Sequence, residues 1–369
     1  MTSLLRAPSR PLCFPTSGWD IIPATEILDE KRFDGFKKGQ YYPYQVISKL
    51  GSGVTSTTWL ARDLEGHRYV TLKVYTRDED NAEEFRIYNH LKEHKTTALD
   101  LFTISRNGGD HHCHVQQPMW ESFRHLLYRN PAHRFTEDLL KAGLMQIFLA
   151  LDYLYIECKL VHTDIKSDNI LQEIADSSIL EAFTKAEMDN PSPRKFVNGA
   201  PVYASRRFEL PKIFRRAVLS DFGSAVRGDE KQDHDVQPNV YRSPEVMLMT
   251  KWSYPVDIWN VGVVIWDLFE GKHMFNGNDP DEKGYSTRAH LAEVIGLIGP
   301  PPLDMLEREK RSHDFFTEDG KWKQCIAIPQ TGGLEASENF MRGMLQWRPG
   351  ARKTAKELLK DPWLNEQIE

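Results

Sequence analysis

The pattern of apolar and polar residues divides the chain into a strand-rich first part and a helix-rich second part. Residues 44–50 and 57–61 are rich in β-branched and aromatic side chains, and they predict two strands on either side of a short glycine-containing loop. Residues 69–74 predict a further strand, and residues 81–91 predict an amphipathic helix. The apolar residues that recur at helical spacing in that helix are Phe85, Tyr88 and Leu91.

The second part of the chain has longer apolar repeats. Residues 136–155 predict a helix, because apolar residues recur there at alternating steps of four and three. Residues 256–264 and 290–298 predict two more helices, and the latter ends at Gly299 before a triple proline. The recurring apolar residues of the helix at 136–155 are Leu140, Leu144, Ile147, Leu151 and Leu154.

A polar loop over residues 161–171 follows the helix of residues 136–155. It resembles the catalytic loop of a protein kinase, in which an acid is followed two residues later by a lysine and five residues later by an asparagine. Asp164, Lys166 and Asn169 have that spacing. The resemblance implies that Asp164 accepts the proton of the attacking hydroxyl, Lys166 offsets charge on the phosphoryl oxygens, and Asn169 binds magnesium. The alternative is a solvated turn, where the same residue types also collect.

Lys73 lies inside the apolar strand of residues 69–74. A lysine in such a place is costly unless it is paired, so we expect an acidic partner. The following helix offers Glu83 and Glu84. Glu84 is preferred, since it stands three residues before the apolar Ile87 as in the kinase pattern. For either acid the alternative is a solvated helix start, which the helix dipole favours.

The glycine-containing loop predicts a phosphate-binding flap. A dinucleotide site would need a helix directly after the glycines, whereas residues 57–60 predict a strand. A strand-loop-strand flap instead places backbone N–H groups over the phosphates of ATP. Ser56 stands where the kinase pattern has its third glycine. The predicted nucleotide-binding residues of the flap are Leu50, Gly51, Ser52, Gly53, Val54, Thr55, Ser56, Thr57 and Thr58.

Residues 112–120 are predicted to be a strand and the hinge between two lobes. The resemblance implies that adenine hydrogen-bonds to backbone groups near Gln117 and Met119. Gln116 takes the place usually held by an apolar residue, and Gln117 that of an acid. These two departures leave the details of adenine binding open.

Further motifs follow in the order that a protein kinase requires. Asp221-Phe222-Gly223 is the first, and its aspartate is implied to bind the magnesium ion that bridges the ATP phosphates. Glu245, in a Ser-Pro-Glu motif, is implied to be buried and to pair with Arg352. Asp257 is implied to brace the backbone of the catalytic loop. A single Asp-Phe-Gly would indicate a turn by default, so the order of the motifs carries the interpretation.

Composition restricts the class of protein. The chain has 369 residues, of which 40% are hydrophobic and 27% charged, so it is long enough for two lobes and has the composition of a globular protein. A net charge of −6 argues against a general nucleic-acid-binding protein and leaves basic protein substrates open. The apolar runs are shorter than the ~18 residues of a membrane span, which predicts no membrane association. The cysteines lack metal or disulfide spacing and predict a reducing compartment. They are Cys13, Cys113, Cys158 and Cys325.

From about residue 44 to residue 364 the sequence resembles a eukaryotic protein kinase. Within that superfamily it resembles the serine/arginine-rich (SR) protein kinase family of the fungal type. The marks are Thr163, where most kinases have arginine, Ser56 in the flap, the Tyr241-Arg242-Ser243 motif and the segment of residues 290–302. The usual arginine requires a phosphate on the activation loop, so its absence implies a kinase that is active without that modification.

The resemblance implies an acidic groove for Arg/Ser-rich substrates. The acids of that groove would have their counterparts in an insertion at about residues 271–330, although the acids there do not align residue by residue with those of the family. Asn239 stands where many relatives carry arginine, which makes the substrate class less secure than kinase activity. The acids considered are Asp279, Asp281, Glu282 and Glu293.

The predicted fold is α+β and bilobal, with a small β-rich N-lobe that holds one main helix and a larger helical C-lobe. We expect a flexible N-terminal extension over residues 1–40, an N-lobe over 41–118 and a C-lobe over 119–366, with insertions at about 172–216 and 271–330. The first insertion is expected to pack on the lobe surface, with a partner-binding element as the alternative. A mitochondrial transit peptide is the alternative for the extension, which three prolines disfavour.

The predicted function is ATP- and magnesium-dependent phosphorylation of Ser or Thr in basic, Arg/Ser-rich proteins. We expect a cytoplasmic and/or nuclear monomer that binds neither nucleic acid nor membranes. A pseudokinase, which keeps the fold and binds nucleotide or partners without catalysis, is the alternative. A small-molecule phosphotransferase is a weaker alternative, because the motifs around Glu245 and Asp257 are those of kinases with protein substrates.

Overall fold

The structure is a computed structural model that falls into two compact units. The first unit comprises Met1–Glu121 and Gln172–Arg215, and the second comprises Ser122–Leu171 and Arg216–Glu369. The first is rich in strands and the second in helices, so the predicted α+β class is confirmed. The described residues are 12, 14–15, 17–23, 47–64, 66–76, 82–94, 98–106, 109–197, 200–211, 213–281, 284–307, 310–329 and 338–366.

A five-stranded antiparallel sheet forms the centre of the first unit. Its strands are hydrogen-bonded in the order β1-β2-β3-β5-β4. Alternate residues of a strand point to opposite faces, and one face of this sheet carries the apolar core that includes Trp59, Leu72 and Cys113. The elements of this part are β1 (Ser48–Ser52), β2 (Ser56–Asp63), β3 (Arg68–Tyr75), α1 (Ala82–Glu93), β4 (Ala98–Arg106) and β5 (Gly109–Gln116).

Helix α1 and the strands confirm the periodicities of the sequence. Tyr88 and Leu91 are buried and Phe85 is half-buried, whereas Glu83 is exposed. The strand predicted at residues 44–50 is seen from Ser48, and residues 44–46 lie outside the described part of the chain.

The chain then enters its main helical stretch. The predicted helix of residues 136–155 is confirmed, with Thr136 as the N-cap residue and a π-helical turn, Leu154–Cys158, after α3. This 22-residue stretch is the one described helix that is long and apolar enough to cross a membrane by length and composition, although its apolar residues form part of the core. The elements are β6 (Met119–Ser122), α2 (Phe123–Arg129), α3 (Glu137–Tyr153), β7 (Leu160–Val161) and β8 (Ile170–Glu173).

The first insertion belongs to the first unit, whereas the sequence placed it in the C-lobe. It forms α4 (Ser178–Asp189) and the hairpin of β9 (Arg194–Val197) and β10 (Ala200–Tyr203). The backbone N–H of Arg206 donates to the carbonyl of Lys49, 2.9 Å away, on the edge strand β1. Unpaired backbone groups of an edge strand attract such a partner, which explains the packing of the insertion here.

The first unit also holds part of the N-terminal extension. Arg194 stacks between the rings of Trp19 and Tyr203, with its guanidinium carbon 3.8 and 4.7 Å from the ring centroids. The backbone of Arg194 also exchanges hydrogen bonds of 3.2 Å with Asp20 and Ile22. A buried arginine between two aromatic rings thus contacts this stretch, and the flexibility expected over residues 1–40 stays a prediction.

Helix α6 is a core helix of the second unit, and most of its residues are buried. The helix predicted at residues 290–298 is confirmed as α7, which ends before Gly299 in the left-handed region of φ. The remaining elements are β11 (Ala217–Leu219), β12 (Val226–Arg227), α5 (Pro244–Met247), α6 (Pro255–Glu270), α7 (Thr287–Ile298), α8 (Leu303–Leu306), α9 (Ser312–Phe315), α10 (Glu338–Arg342), α11 (Ala355–Leu358) and α12 (Pro362–Asn365).

Candidate active site

The loop between β7 and β8 brings the three predicted catalytic-loop residues together. Both carboxylate oxygens of Asp164 accept from the Lys166 ammonium, at 3.0 and 2.9 Å. The Asn169 amide nitrogen donates to the Asp164 carboxylate at 2.8 Å and to its backbone carbonyl at 2.9 Å. The Asp164 carboxylate is thus fixed in direction, which a group that must accept a proton from a hydroxyl requires.

Asp257, on α6, holds the backbone of this loop. Its two carboxylate oxygens accept the backbone N–H groups of His162 at 2.7 Å and Thr163 at 2.8 Å. Asp257 is fully buried, and burial raises its pKa, while the two N–H donors oppose that shift. The structure places Asp257 where the kinase resemblance implied it, beneath the catalytic loop.

The segment around Asp221 is held to the catalytic loop. The Ser220 backbone N–H donates to the Asn169 carbonyl at 2.9 Å, and the His162 ring lies 3.0 Å from the Ser220 carbonyl through Nε2. Asp221 itself has a φ of 61°, in the left-handed region that a non-glycine residue rarely adopts. Such strain in a polar residue beside a catalytic loop is typical of functional sites.

Asn169 and Asp221 suit a magnesium ion by the atoms they offer. Both hydrogen bonds that Asn169 donates to Asp164 use its amide nitrogen, so its amide oxygen is the atom suited to a cation. Amide and carboxylate oxygens are ligands that magnesium prefers. Across the described residues there is no cluster of three or more His, Cys, Asp or Glu residues suited to a metal.

The predicted pair of Lys73 and Glu84 forms in the first unit. The Lys73 ammonium lies 3.2 Å from Glu84 Oε1, and both side chains are largely buried. Tyr75, which the sequence did not single out, also donates its hydroxyl to Glu84 Oε1. Burial raises the pKa of Tyr75, so it keeps its proton and acts as a donor. Glu83 points elsewhere and pairs with Arg86 at 2.9 Å on the exposed face of α1.

The predicted flap joins β1 and β2 in a tight turn. The backbone N–H of Gly53 donates to the Ser56 carbonyl at 2.8 Å, and Val54 at the tip is exposed. The last three residues of β1 are Leu50, Gly51 and Ser52. The first three residues of β2 are Ser56, Thr57 and Thr58. The Thr55 carbonyl accepts the backbone N–H of Thr76 at 2.9 Å. The strand-loop-strand arrangement excludes the dinucleotide alternative, which needed a helix after the glycines.

The predicted hinge residues lie between β5 and β6. Gln116 ends β5 and is half-buried, Gln117 is exposed, and Met119 begins β6 and is buried. Gln116 and Gln117 thus keep their polar side chains at least partly accessible.

A cavity of about 490 Å³ lies beside the catalytic loop in the second unit. Asp164 lines it together with residues of the segment after Asp221, among them Asp235. The Asp235 carboxylate is 66% exposed and lies 3.1 Å from Arg242. Sequence reasoning missed Asp235, although the acidic run of residues 229–235 was a visible signal.

The acids of the second insertion are engaged within the protein. Arg288 binds both carboxylate oxygens of Asp279 at 2.7 and 2.8 Å and also binds Asp281 at 2.5 Å. Glu293 accepts backbone N–H groups of the loop before α7. Glu282 lies outside the described residues. These contacts give Asp279 and Glu293 structural partners, whereas the Asp281 side chain stays 58% exposed beside Arg288, and the acidic groove stays a prediction.

The first unit is rich in strands and holds a Lys–Glu pair and a glycine-containing flap. The second unit is helical and holds an aspartate that is fixed in direction. These features are those of a phosphotransferase of the protein kinase class. The chain matches the protein kinase domain family over residues 44–205 and 212–364. The chain belongs to the protein kinase family.

Relatives and a solved structure agree with this assignment. A serine/threonine protein kinase of Aspergillus fumigatus is 38% identical over 394 residues, which cover 97% of this chain and 96% of that protein. The serine/threonine-protein kinase SRPK of Physarum polycephalum is 26% identical, with 91% of each chain covered. The crystal structure of a kinase domain, 22% identical, has a TM-score of 0.60 and covers 90% of this chain and 98% of its own, which shows the fold. The chain is a protein serine/threonine kinase.

Proposed function

We propose that this kinase phosphorylates serine or threonine in basic, Arg/Ser-rich protein segments, with ATP and magnesium. The exposed carboxylate of Asp235 in the same cavity as Asp164 carries the substrate proposal. The resemblance to the SR protein kinase family and the similarity to the Physarum SRPK support it. Localisation in the cytoplasm or nucleus and a monomeric state remain predictions.

The proposed roles of the catalytic loop follow from its hydrogen bonds. Asp164 orients the substrate hydroxyl and accepts its proton, because Asn169 and Lys166 fix the carboxylate. Lys166 also neutralises charge that develops on the transferred group. Asn169 and Asp221 provide the oxygen ligands for magnesium. A magnesium ion held there would offset the negative charge of the ATP phosphates.

The proposed roles of the first unit concern nucleotide binding. Lys73 binds the ATP phosphates, and Glu84 keeps its ammonium in place with an ion pair of 3.2 Å. Backbone N–H groups of the flap cover the phosphates, and the backbone near Gln117 and Met119 receives adenine. Alignment and charge stabilisation supply most of the rate in such a site, because the protein forms no bond to the phosphoryl group.

Substrate choice is proposed to depend on charge beside Asp164. Asp235 accepts from Arg242 and still exposes most of its carboxylate, so a second cation can bind there. A guanidinium suits this position better than an ammonium, because its planar fork binds a carboxylate through two parallel hydrogen bonds. Peptides with arginine near the phosphorylated serine are therefore the expected substrates.

The test compares three substrates with labelled ATP and magnesium: an Arg-Ser repeat peptide, a Lys-Ser repeat of equal charge, and a general basic protein. We expect kcat/KM for the Arg-Ser peptide to exceed that of the Lys-Ser peptide by about tenfold, the factor that 1.4 kcal/mol supplies. Equal kcat/KM values for the two peptides would refute the proposed preference for arginine but not the kinase activity. Asp164→Asn should bind ATP normally and lose nearly all turnover, and labelling by this variant would favour a contaminating kinase.

Asp235→Asn isolates the residue that carries the substrate proposal. We expect kcat/KM for the Arg-Ser peptide to fall, with little change for a peptide without cationic residues. Asp233→Asn is the matched control, since Asp233 lies on the same segment but pairs with Lys310 at 3.1 Å and does not line the cavity. An equal effect of both substitutions would indicate general electrostatic attraction rather than binding at Asp235.

A further inference from the structure

Thr163, which directly precedes Asp164, has an unusual backbone conformation. Its φ is 67°, in the left-handed region, and its side chain is β-branched and fully buried. Branched residues rarely adopt this conformation, because their side chains crowd the backbone there. The buried Asp257 carboxylate accepts the Thr163 backbone N–H at 2.8 Å and thereby helps to hold this conformation.

The hydroxyl of Thr163 contacts the chain after the magnesium-binding motif. Thr163 Oγ1 donates to the backbone carbonyl of Ser224 at 2.7 Å. The preceding residue, His162, lies 3.0 Å from the backbone carbonyl of Ser220. Two consecutive residues of the catalytic loop thus contact the chain on either side of Asp221-Phe222-Gly223.

The two sides of this segment are held by different groups. On the side before Asp221, Ser220 also donates from its backbone N–H and its hydroxyl to the Asn169 carbonyl, at 2.9 and 3.0 Å. On the side after Gly223, β12 pairs with β7 from Val226 onwards, and the Thr163 hydroxyl reaches the Ser224 carbonyl, which lies between that pairing and Asp221. Asp221 lies between these anchors with a φ of 61°, a conformation that persists only when its surroundings enforce it.

We infer that Thr163 is a positioning residue for phosphoryl transfer. Its hydroxyl anchors the chain after Gly223 to the catalytic loop and so keeps Asp221 in the conformation that binds magnesium beside Asp164. This role depends on the kinase reaction and not on which protein is phosphorylated. The bond joins a neutral hydroxyl to a backbone carbonyl, so it forms without any added charge.

Thr163→Ser and Thr163→Ala are a matched pair for the test. Both remove the β-branch and relieve the crowding at positive φ alike, and they differ only in the hydroxyl. Thr163→Val completes the set, because it keeps the shape of threonine without a donor. Hydrogen–deuterium exchange of the amides of residues 220–225 in nucleotide-free protein reports on the anchor directly. Helix α6 is the internal reference for global stability.

We expect exchange in residues 220–225 to accelerate by about tenfold or more in the alanine and valine variants, while the serine variant stays near the wild type. In assays with the best substrate of the wild type, the same two variants should need several-fold more magnesium for half-maximal rate, with the KM for peptide unchanged. Exchange needs no substrate, so the outcome is independent of the Arg-Ser proposal.

Three results would overturn the inference. Equal exchange in all four proteins would show that the hydroxyl anchors nothing. Equal acceleration in the serine and alanine variants would assign the effect to packing of the methyl group. Exchange could also accelerate throughout α6 in the alanine variant but not in the serine variant. That result would show that the hydroxyl contributes to global stability rather than to the conformation of Asp221.

Discussion

Arg352 and Glu245 form a fully buried ion pair in the second unit. Two guanidinium nitrogens lie 2.6 Å from the two carboxylate oxygens, and neither side chain is accessible to solvent. Arg352 further donates to the backbone carbonyls of Pro255 and Gln346, at 2.9 and 3.1 Å. The pair thus joins the start of α5 to the start of α6 and to the loop before α11.

Removal of one member of this pair should be strongly destabilising. We expect Arg352→Ala to lower the free energy of unfolding by about 3–5 kcal/mol, because the Glu245 carboxylate is left buried without its cation. Chemical denaturation of the purified protein measures this. Arg348→Ala is the control, since Arg348 pairs with Asp304 at the surface and such pairs contribute about 0–1 kcal/mol. Similar losses in both variants would contradict the buried-pair interpretation.

The Lys73–Glu84 pair predicts an effect on nucleotide binding. Glu84→Gln removes the charge that holds the Lys73 ammonium, and a hydrogen bond to a charged group contributes about 1.5–3 kcal/mol. We therefore expect the KM for ATP to rise by roughly 10- to 100-fold, which steady-state kinetics measures. Glu83→Gln is the matched control on the neighbouring, exposed position, and it should leave the KM for ATP unchanged. A larger effect of Glu83→Gln would reverse the assignment.

His273 and Asp267 predict a dependence of stability on pH. His273 Nδ1 lies 2.8 Å from Asp267 Oδ2, and this hydrogen bond raises the pKa of His273. Since the pKa is raised in the folded protein, the stabilisation is fully present below the unfolded pKa of about 6.5. It is lost as the pH rises through the higher folded pKa. Arg124 opposes the shift in the pKa and Asp168 reinforces it.

His273→Asn tests this linkage by denaturation at several pH values. The wild type should be more stable than the variant at acidic pH by up to about 1 kcal/mol, because His273 is partly exposed and solvent screens the pair. The difference should shrink as the pH rises above the folded pKa. A difference that grows with pH would contradict the raised pKa.

The first insertion offers a matched pair of neighbouring arginines. Arg206 lies 2.8 Å from Glu187, whose side chain is 7% exposed, whereas Arg207 lies 3.7 Å from Glu121 and is itself mostly exposed. We expect Arg206→Ala to destabilise the protein by about 1–3 kcal/mol, since it leaves a buried carboxylate with fewer donors. Arg207→Ala should cost less, because Arg207 is 56% exposed and lies 3.7 Å from the buried Glu121, beyond hydrogen-bond distance. Thermal unfolding of both variants compares them, and a larger loss for Arg207→Ala would refute the ranking.

The sequence by itself determined the parts whose chemistry is local. Asp164, Lys166 and Asn169 lie in one short loop, so their spacing already fixed which groups meet, and the period of α3 fixed its buried face. Lys73 and Glu84 were also predictable, because a lysine in an apolar strand requires an acid and the next helix supplies one.

Only the tertiary structure decided which distant groups become partners. The packing of the first insertion on β1, the anchoring of Trp19 on Arg194 and the neutralisation of Asp279 by Arg288 join segments whose sequences carry no mark of each other. The same holds for the bond between Thr163 and Ser224, which requires a positive φ that no periodicity reveals. Spacing along a chain fixes neighbours within a loop or helix, whereas contacts between segments depend on how the whole chain packs.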